Sequence, residues 1–375
     1  MDQLFIGLMS GTSLDGADGV LARFGPGPMP LKVLGHAHQP FTPEFSQALL
    51  ALNTPGNNEL HLAALAANSL ARVYARTVED LLQAGGVPRG QVIAIGAHGQ
   101  TVRHRPGEFD GIGYTLQLNS PALLAELTGL SVVADFRSRD VASGGQGAPL
   151  VPAFHRAVFA RDDGVVGVLN VGGISNLSVL GPGDSTVGFD CGPGNALMDH
   201  WCRLHTGSPF DDKGAWAASG QVDEPLLAGM QAEPYFGRAP PKSTGRDLFN
   251  PAWLTGYLQG RAPANGLHPE DVQATLAELT ARVCATAVRA HANDPVELLV
   301  CGGGALNTHL MTRLAVYLPH VRVAPTDIRG LPAMQVEACA FAWLARAWVE
   351  RQAGNLSQVT GASGPRVLGA LYPAH

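Results

Sequence analysis

Lysine is almost missing from this chain: only Lys32, Lys213 and Lys242 occur among 375 residues. With 25 basic against 31 acidic side chains, a net charge of −6 and no basic run, it lacks the footprint of a nucleic-acid-binding surface. Long apolar runs are missing too. No stretch of about 18 uninterrupted apolar residues exists to span a bilayer, and the first residues carry Asp2 but no basic n-region. The expectation is a cytoplasmic protein with neither membrane nor nucleic acid as partner. Cysteine is sparse and scattered. Cys191, Cys202, Cys284, Cys301 and Cys339 form no C-x-x-C pair, which reads as reduced thiols rather than a disulfide framework or zinc site. Familiar phosphate and metal signatures are absent as well: there is no G-x-x-x-x-G-K-[ST], no H-R-D with D-F-G, and no H-x-x-x-H.

Apolar residues make up 46% and charged residues 15%, the reverse of a disordered chain. The length exceeds what one core usually serves, so two domains are expected. Residues 4–9 are an apolar run, Ser10 to Gly16 a tip rich in Gly, Ser, Thr and Asp, and residues 20–24 a second strand, together a hairpin. The arrangement recurs halfway along, at residues 165–171, a tip from Gly172 to Asn176 and residues 177–180. Between the hairpins, residues 60–82 read as a helix closed by Gly85-Gly86, residues 92–95 as a buried strand, residues 121–128 as a short helix and residues 131–134 as a strand. Beyond the second hairpin, a strand ends at Asp190 and Gly192-Pro193-Gly194 turns the chain into a helix with Asn195 as its N-cap. Residues 272–292 form a long helix, residues 298–301 a strand leading into Gly302-Gly303-Gly304, and residues 338–348 a last helix. Strands alternating with helices predict an α/β protein with largely parallel pairing. The Pro/Gly-rich residues 234–246 read as a surface insertion, and the halves divide near residues 134–152.

Three glycine-rich turns carry the chemistry: residues 10–18, 172–176 and 302–307. Bare backbone and hydroxyls can cradle phosphate oxygens, which points to a nucleotide, although each turn alone is also an ordinary tight turn. Asp15 and Asp18 could hold hydrated Mg²⁺ beside phosphates or could simply cap the turn. Asp190, at a strand end, suits a general base as well as an Asx turn. His98 and His104 fall on a loop after a strand, and His98 with Gln100 and Thr101 would make a polar substrate wall. The run from Asp135 through Arg137 to Gln146 and Gly147 is dense in donors, and an arginine fork there suits a carboxylate or sugar hydroxyls.

Taken together, Gly7-Leu8-Met9-Ser10-Gly11-Thr12-Ser13-Leu14-Asp15-Gly16-Ala17-Asp18, Ala97-His98-Gly99-Gln100-Thr101, Ala134-Asp135-Phe136-Arg137, Gly144-Gly145-Gln146-Gly147-Ala148-Pro149, Asn170-Val171-Gly172-Gly173-Ile174-Ser175-Asn176, Gly188-Phe189-Asp190-Cys191-Gly192-Pro193-Gly194-Asn195 and Cys301-Gly302-Gly303-Gly304-Ala305-Leu306-Asn307 resemble the anhydro-N-acetylmuramic acid kinases. The resemblance runs from Gly7 to Pro373. It implies an α/β fold of two ribonuclease-H-like lobes with an interlobe ATP cleft, as in actin, hexokinase and the heat-shock ATPases. Residues 1–134 with 348–375 would form one lobe and residues 135–347 the other. It also implies a kinase that uses ATP, Mg²⁺ and water to open the 1,6-anhydro ring of a recycled cell-wall sugar and yield the 6-phosphate.

Carried across residue by residue, Gly11 to Asp18 resembles the first phosphate hairpin, with Asp15 and Asp18 as inferred metal holders. Gly172, Gly173, Ser175 and Asn176 resemble the second hairpin, and Gly302, Gly303, Gly304 and Asn307 the adenosine loop. Asp190 matches the catalytic aspartate. His98, Gln100, Thr101, Asp135, Arg137, Gln146, Gly147, Asn195 and Glu337 fall on the substrate side. The partner implied is a small sugar, and the reading allows a homodimer. The competing readings are a kinase of the same fold acting on another sugar, a nucleotide-switched binding protein, and a metal-dependent transferase or peptidase of the same superfamily, against which the missing H-x-x-x-H argues.

Overall fold

The computed structural model describes residues 2–25, 31–259 and 267–374. The chain forms two compact units, Met1–Val158 with Gln335–His375, and Phe159–Met334. In chain order unit one begins with β1 (Gln3–Ser10), β2 (Gly16–Phe24), β3 (Leu31–Pro40), α1 (Pro43–Ala51), α2 (Glu59–Gly85), β4 (Val92–Pro106), β5 (Gly113–Leu118), α3 (Pro121–Thr128), β6 (Val132–Ala134), α4 (Ser138–Ala142) and α5 (Val151–Phe159). Unit two holds β7 (Val165–Val171), β8 (Ile174–Leu180), β9 (Thr186–Pro193), α6 (Ala196–Thr206), α7 (Ala215–Ser219), α8 (Glu224–Gln231), α9 (Pro251–Leu258), α10 (Pro269–His291), β10 (Pro295–Cys301), α11 (Thr308–Tyr317) and β11 (Arg322–Pro325). The chain then returns to unit one as α12 (Val336–Val349), α13 (Ser357–Thr360) and β12 (Ala370–Tyr372).

Each unit is built on a sheet of the same plan. Among the described residues the first runs β12-β6-β4-β1-β2-β3, with β5 paired to β4, and the second β11-β10-β7-β8-β9. In both, three consecutive strands pair antiparallel, and the first of them pairs parallel with a later strand that is itself flanked by a parallel neighbour. The duplication visible in the two hairpins is therefore a duplication of the whole sheet frame. The architecture is α/β, but the expectation of largely parallel pairing is corrected, because the hairpin strands and the additions of β5 and β12 make antiparallel pairs outnumber parallel ones among the described residues.

The helices follow from their apolar faces. In α2, Ala66, Leu70, Tyr74, Val78 and Leu81 recur at intervals of three and four and are buried against the sheet. Each buried leucine contributes about 2 kcal/mol by area removed from water. Gly86 closes the helix in the left-handed region, with φ of 59°. α12 is alanine-rich and buried on most sides. It lies against β1 and β4, where Gly7 and Gly96 are register partners. A Cβ at Gly7 would fall 1.9 Å from Ala338 O, and one at Gly96 2.0 Å from Phe341 O, so only glycine lets the helix approach this closely.

Several sequence expectations are corrected. β4 continues through His98 and His104, which therefore sit on a strand and not a loop, because β1 pairs with it as far as Gln100 and β5 from Gln100 to Pro106. The polar stretch is held by neighbouring backbones, which periodicity does not register. The unit boundaries fall at Val158/Phe159 and Met334/Gln335 rather than at 134/135 and 347/348. Residues 135–150 stay with unit one because Asp140 is bonded to Asn355 and Thr360 of the returning segment, and all of α12 stays because it packs on β1 and β4.

Candidate functional site

In unit one the tip between β1 and β2 is braced from below. Ser10 Oγ donates to Gln100 Oε1, and Gln100 Nε2 donates to Gly11 O at 3.1 Å and Thr101 O at 3.3 Å. Gln100 is buried, so its carboxamide shapes the turn. Leu14, at φ 59°, is buried in the core, and its carbonyl accepts from Ser46 Oγ at 2.7 Å. Thr12, Ser13 and Asp15 are exposed, with Ser13 Oγ donating to Asp15 Oδ1 at 2.6 Å. Gly16 and Ala17 are buried on β2. Asp18 Oδ1 lies 3.2 Å from His36 Nε2 and 3.0 Å from His38 Nδ1 on β3.

A second cluster of unit one surrounds His98, buried on β4. Arg137 donates to His98 Nε2 through Nε at 3.1 Å and Nη2 at 3.0 Å, and to Gly147 O through Nη1 at 2.8 Å. A ring nitrogen that accepts from a guanidinium carries no proton, so His98 is neutral with its hydrogen on Nδ1. Burial first, then the Arg137 charge, holds its pKa well below the usual histidine range. Asp140 lies buried beneath, accepting from Gly147 N at 2.7 Å, Asn355 Nδ2 at 2.6 Å and Thr360 Oγ1 at 2.8 Å. Gln146 is exposed, and its backbone N donates to Thr360 O at 2.7 Å. Thr101 Oγ1 accepts from Gln117 Nε2 at 3.2 Å. Asp135 is exposed at φ 59° and accepts from Ser138 Oγ, while Glu337 lies in the first turn of α12.

In unit two, three glycine segments converge at the carboxyl end of β7. Asn195 N donates to Gly172 O at 2.7 Å, Gly194 N to Gly173 O at 3.0 Å, and Asn195 Nδ2 to Val171 O at 2.9 Å. Gly302, at φ 76°, has no room for a Cβ, which would meet Asn170 Oδ1 at 2.5 Å, and Gly304 is pressed against Val171. Gly172 differs. The nearest atom to a Cβ there is Ile174 O at 3.6 Å, so its bareness answers no internal contact. Asn170 Oδ1 and Asn176 Oδ1, on the two strands leading from this tip, are buried without a hydrogen-bond partner among the described residues. Ser175 is engaged internally, donating to Gly192 O at 3.1 Å.

Asp190 is three residues inside β9 rather than at a strand end, opposite Asn176 where a bulge shifts the register. Residues 234–246, expected as a surface insertion, hold it on three sides. Asp190 N donates to Lys242 O at 3.2 Å, Thr244 N donates to Asp190 Oδ2 at 3.0 Å, and Tyr235 OH donates to Asp190 O at 2.8 Å. The segment is anchored because Tyr235 is buried and packs edge-on against Phe249, a contact its proline-rich composition conceals. One further expectation changes. Asn195 stands at the start of α6 but makes no side-chain cap, since its amide bonds Val171 O. Asn307 Oδ1 caps α11 by accepting from Leu310 N at 2.9 Å.

The site residues thus fall into a braced tip and a histidine–arginine cluster in unit one, and a glycine-lined strand end with its carboxylate in unit two. Asp18 stands apart with its two histidines. Among the described residues no group of three or more His, Cys, Asp or Glu is arranged to hold a metal. Hydrated Mg²⁺ beside phosphates needs only one or two carboxylates, and of the two expected aspartates Asp15 is exposed with a bond from Ser13, whereas Asp18 is less exposed and bonded to His36 and His38. Sequence reasoning missed Tyr235, Lys242 and Thr244 around Asp190, and Asn355 and Thr360 around Asp140. Lysine's scarcity was the one signal available, since Lys242 is one of three.

Among solved structures the chain is similar to the activator of the 2-hydroxyisocaproyl-CoA dehydratase from Clostridium difficile with bound ADPNP, at TM-score 0.47 and 11% identity over 93% of this chain and 96% of that one. Among curated proteins it is 65% identical to an anhydro-N-acetylmuramic acid kinase of Variovorax paradoxus over 99% of both chains. It is 57% identical to that of Albidiferax ferrireducens over 100% of both, and 61% identical to that of Cupriavidus pinatubonensis over 98% of both. The family profile described as anhydro-N-acetylmuramic acid kinase matches residues 3–374. With relatives this similar over nearly its full length, the chain belongs to the anhydro-N-acetylmuramic acid kinase family and is a kinase enzyme of that type.

Proposed function

We propose that the protein acts in the cytoplasm, using ATP and water to open the 1,6-anhydro ring of anhydro-N-acetylmuramic acid and phosphorylate O6, giving N-acetylmuramic acid 6-phosphate for cell-wall sugar recycling. The observation that carries the reading is the placement of Asp190, whose Oδ2 is fixed by Thr244 N–H and whose backbone is bonded on both sides. It sits on the strand beside the glycine hairpin of unit two.

The reaction balances as anhydro-sugar, water and ATP giving sugar 6-phosphate, ADP and a proton. Asp190 accepts a proton from water as the water oxygen bonds to the anomeric carbon, the bond from that carbon to O6 breaks, and O6 attacks the γ-phosphorus as the bond from that phosphorus to the departing ADP oxygen breaks. The phosphate side then rests on positioning and charge. The open Gly172 position fits a phosphate against bare backbone, and the unpartnered Oδ1 acceptors of Asn170 and Asn176 fit the water that hydrates it. In unit one, exposed Asp15 fits the holding of Mg²⁺ through water, and the ion supplies neutralisation of phosphate charge when bound. On the sugar side, Arg137, His98 and Gly147 form a fixed polar wall already bonded internally.

Parallel assays of ADP release with anhydro-N-acetylmuramic acid and with the ordinary reducing sugar test this reading. The anhydro-sugar should be turned over and the reducing sugar should be a poor substrate, because it lacks the strained bridge whose opening frees O6. Equal turnover of both would favour a general sugar kinase.

A further inference from the structure

Lys242 is half-buried, unusual company for a chain with three lysines. Its Nζ donates to Phe236 O at 3.2 Å and Tyr235 O at 3.4 Å and stands 4.8 Å from the centre of the Tyr235 ring. The Lys242 backbone carbonyl accepts from Asp190 N at 3.2 Å, and the Tyr235 hydroxyl donates to Asp190 O at 2.8 Å. One side chain therefore clasps together the two parts of the segment that grip Asp190 from either side.

We propose that Lys242 is a positioning residue for Asp190: its ammonium locks the 235–244 segment around the carboxylate and keeps that carboxylate ionised. This rests on the reading of Asp190 as the base. Two effects converge. The clasp keeps Thr244 N–H aimed at Oδ2, and a cation in a partly desolvated setting favours the charged form of a nearby acid.

The other groups bearing on this spot are Cys191 on β9, Tyr235 and Arg238 on the gripping segment, Asp247 beyond it and His291 at the end of α10. Burial raises the Tyr235 hydroxyl above its usual range, and the free thiol of Cys191 is raised by its hydrogen bond with Cys284 and by burial, so neither supplies a competing negative charge near neutral pH. Burial lowers His291, keeping it neutral there. Lys242 itself is lowered by burial, a sign that the ammonium is held against a desolvation cost. Arg238 is exposed and can supply only screened charge.

The test compares wild type, Lys242→Met and Lys242→Arg as full-length protein. The acid limb of the kcat/KM profile should move up by about one pH unit in Lys242→Met, with an accompanying loss of about tenfold below the limb, and return part of the way in Lys242→Arg. Carboxyl ¹³C resonances of aspartate-labelled protein, with Asp190 assigned by its disappearance in Asp190→Asn, should report the same upward move without relying on activity. An Asp190 titration unchanged in a folded Lys242→Met protein overturns the proposal. If the titration moves but Asp190→Asn keeps full turnover, Lys242 still sets the charge of Asp190 and it is the base reading that fails.

Discussion

The two units carry hairpins on the same strand plan but finish them differently. In unit one the tip is long, bears Thr12, Ser13 and Asp15 outward, and is braced by the buried Gln100. In unit two the tip is Gly172-Gly173, with no side chains of its own, tied to Gly194 and Asn195. One frame thus presents hydroxyls and a carboxylate, the other bare backbone beside a gripped aspartate. A duplicated sheet fixes where a ligand can be met, and the tip residues decide with what chemistry.

The sharpest way to break that contrast is Asp190→Asn in unit two. The amide keeps the shape but cannot take a proton, so kcat should fall by at least about 100-fold while the sugar and nucleotide still bind within a few-fold. Near-full turnover in a folded variant would leave Asp190 as a turn residue. Buried histidines should also make the protein sensitive to acid. Burial pushes His155 of unit one down to about 3, and its unfolded value is about 6.5. Below 6.5 the unfolded chain binds the extra proton, so stability present at neutral pH is lost as pH falls, by about 2 kcal/mol at pH 5 for this one group. Burial lowers His98 in the same sense. Urea melts at pH 7 and pH 5 should lose most of this difference in His155→Gln, and an unchanged pH dependence would remove His155 from the account.

Glycine at the second tip is the next point of attack. The Cβ of Gly172→Val meets nothing closer than ordinary contact, so the fold should survive and nucleotide affinity should fall about tenfold in calorimetry, the loss expected for a displaced charge-assisted contact. Unchanged affinity would make this tip a turn and nothing more. Arg137→Ala in unit one should weaken sugar binding several-fold and leave nucleotide binding alone, since losing its bonds to His98 and Gly147 loosens only the polar wall. A selective loss of nucleotide affinity would move this residue to the other ligand.

Much of the frame was legible in sequence because it is written in local patterns. The apolar run with a glycine-rich tip recurs at Leu4 and Val165, and α2 announces itself by the spacing of Leu62, Leu65, Leu70 and Val73 and its Gly85-Gly86 end, although Leu62 and Leu65 prove exposed. What stayed hidden depends on partners far along the chain. His98 and His104 look like loop residues until β5 supplies hydrogen bonds to a polar stretch. Residues 234–246 look like an insertion because proline and glycine dominate, yet Tyr235, Lys242 and Thr244 meet Asp190 about 50 residues away in sequence, a distance no periodicity encodes. Asp140, more than 200 residues from Asn355 and Thr360, carried no local sign of burial.

The central claim, that ring opening and phosphoryl transfer are one reaction, is tested most directly by the mass of the product. Anhydro-N-acetylmuramic acid incubated with the protein, Mg²⁺ and ATP should give a species heavier by one phosphate and one water. A product that gains phosphate alone would contradict the hydrolytic role assigned to Asp190.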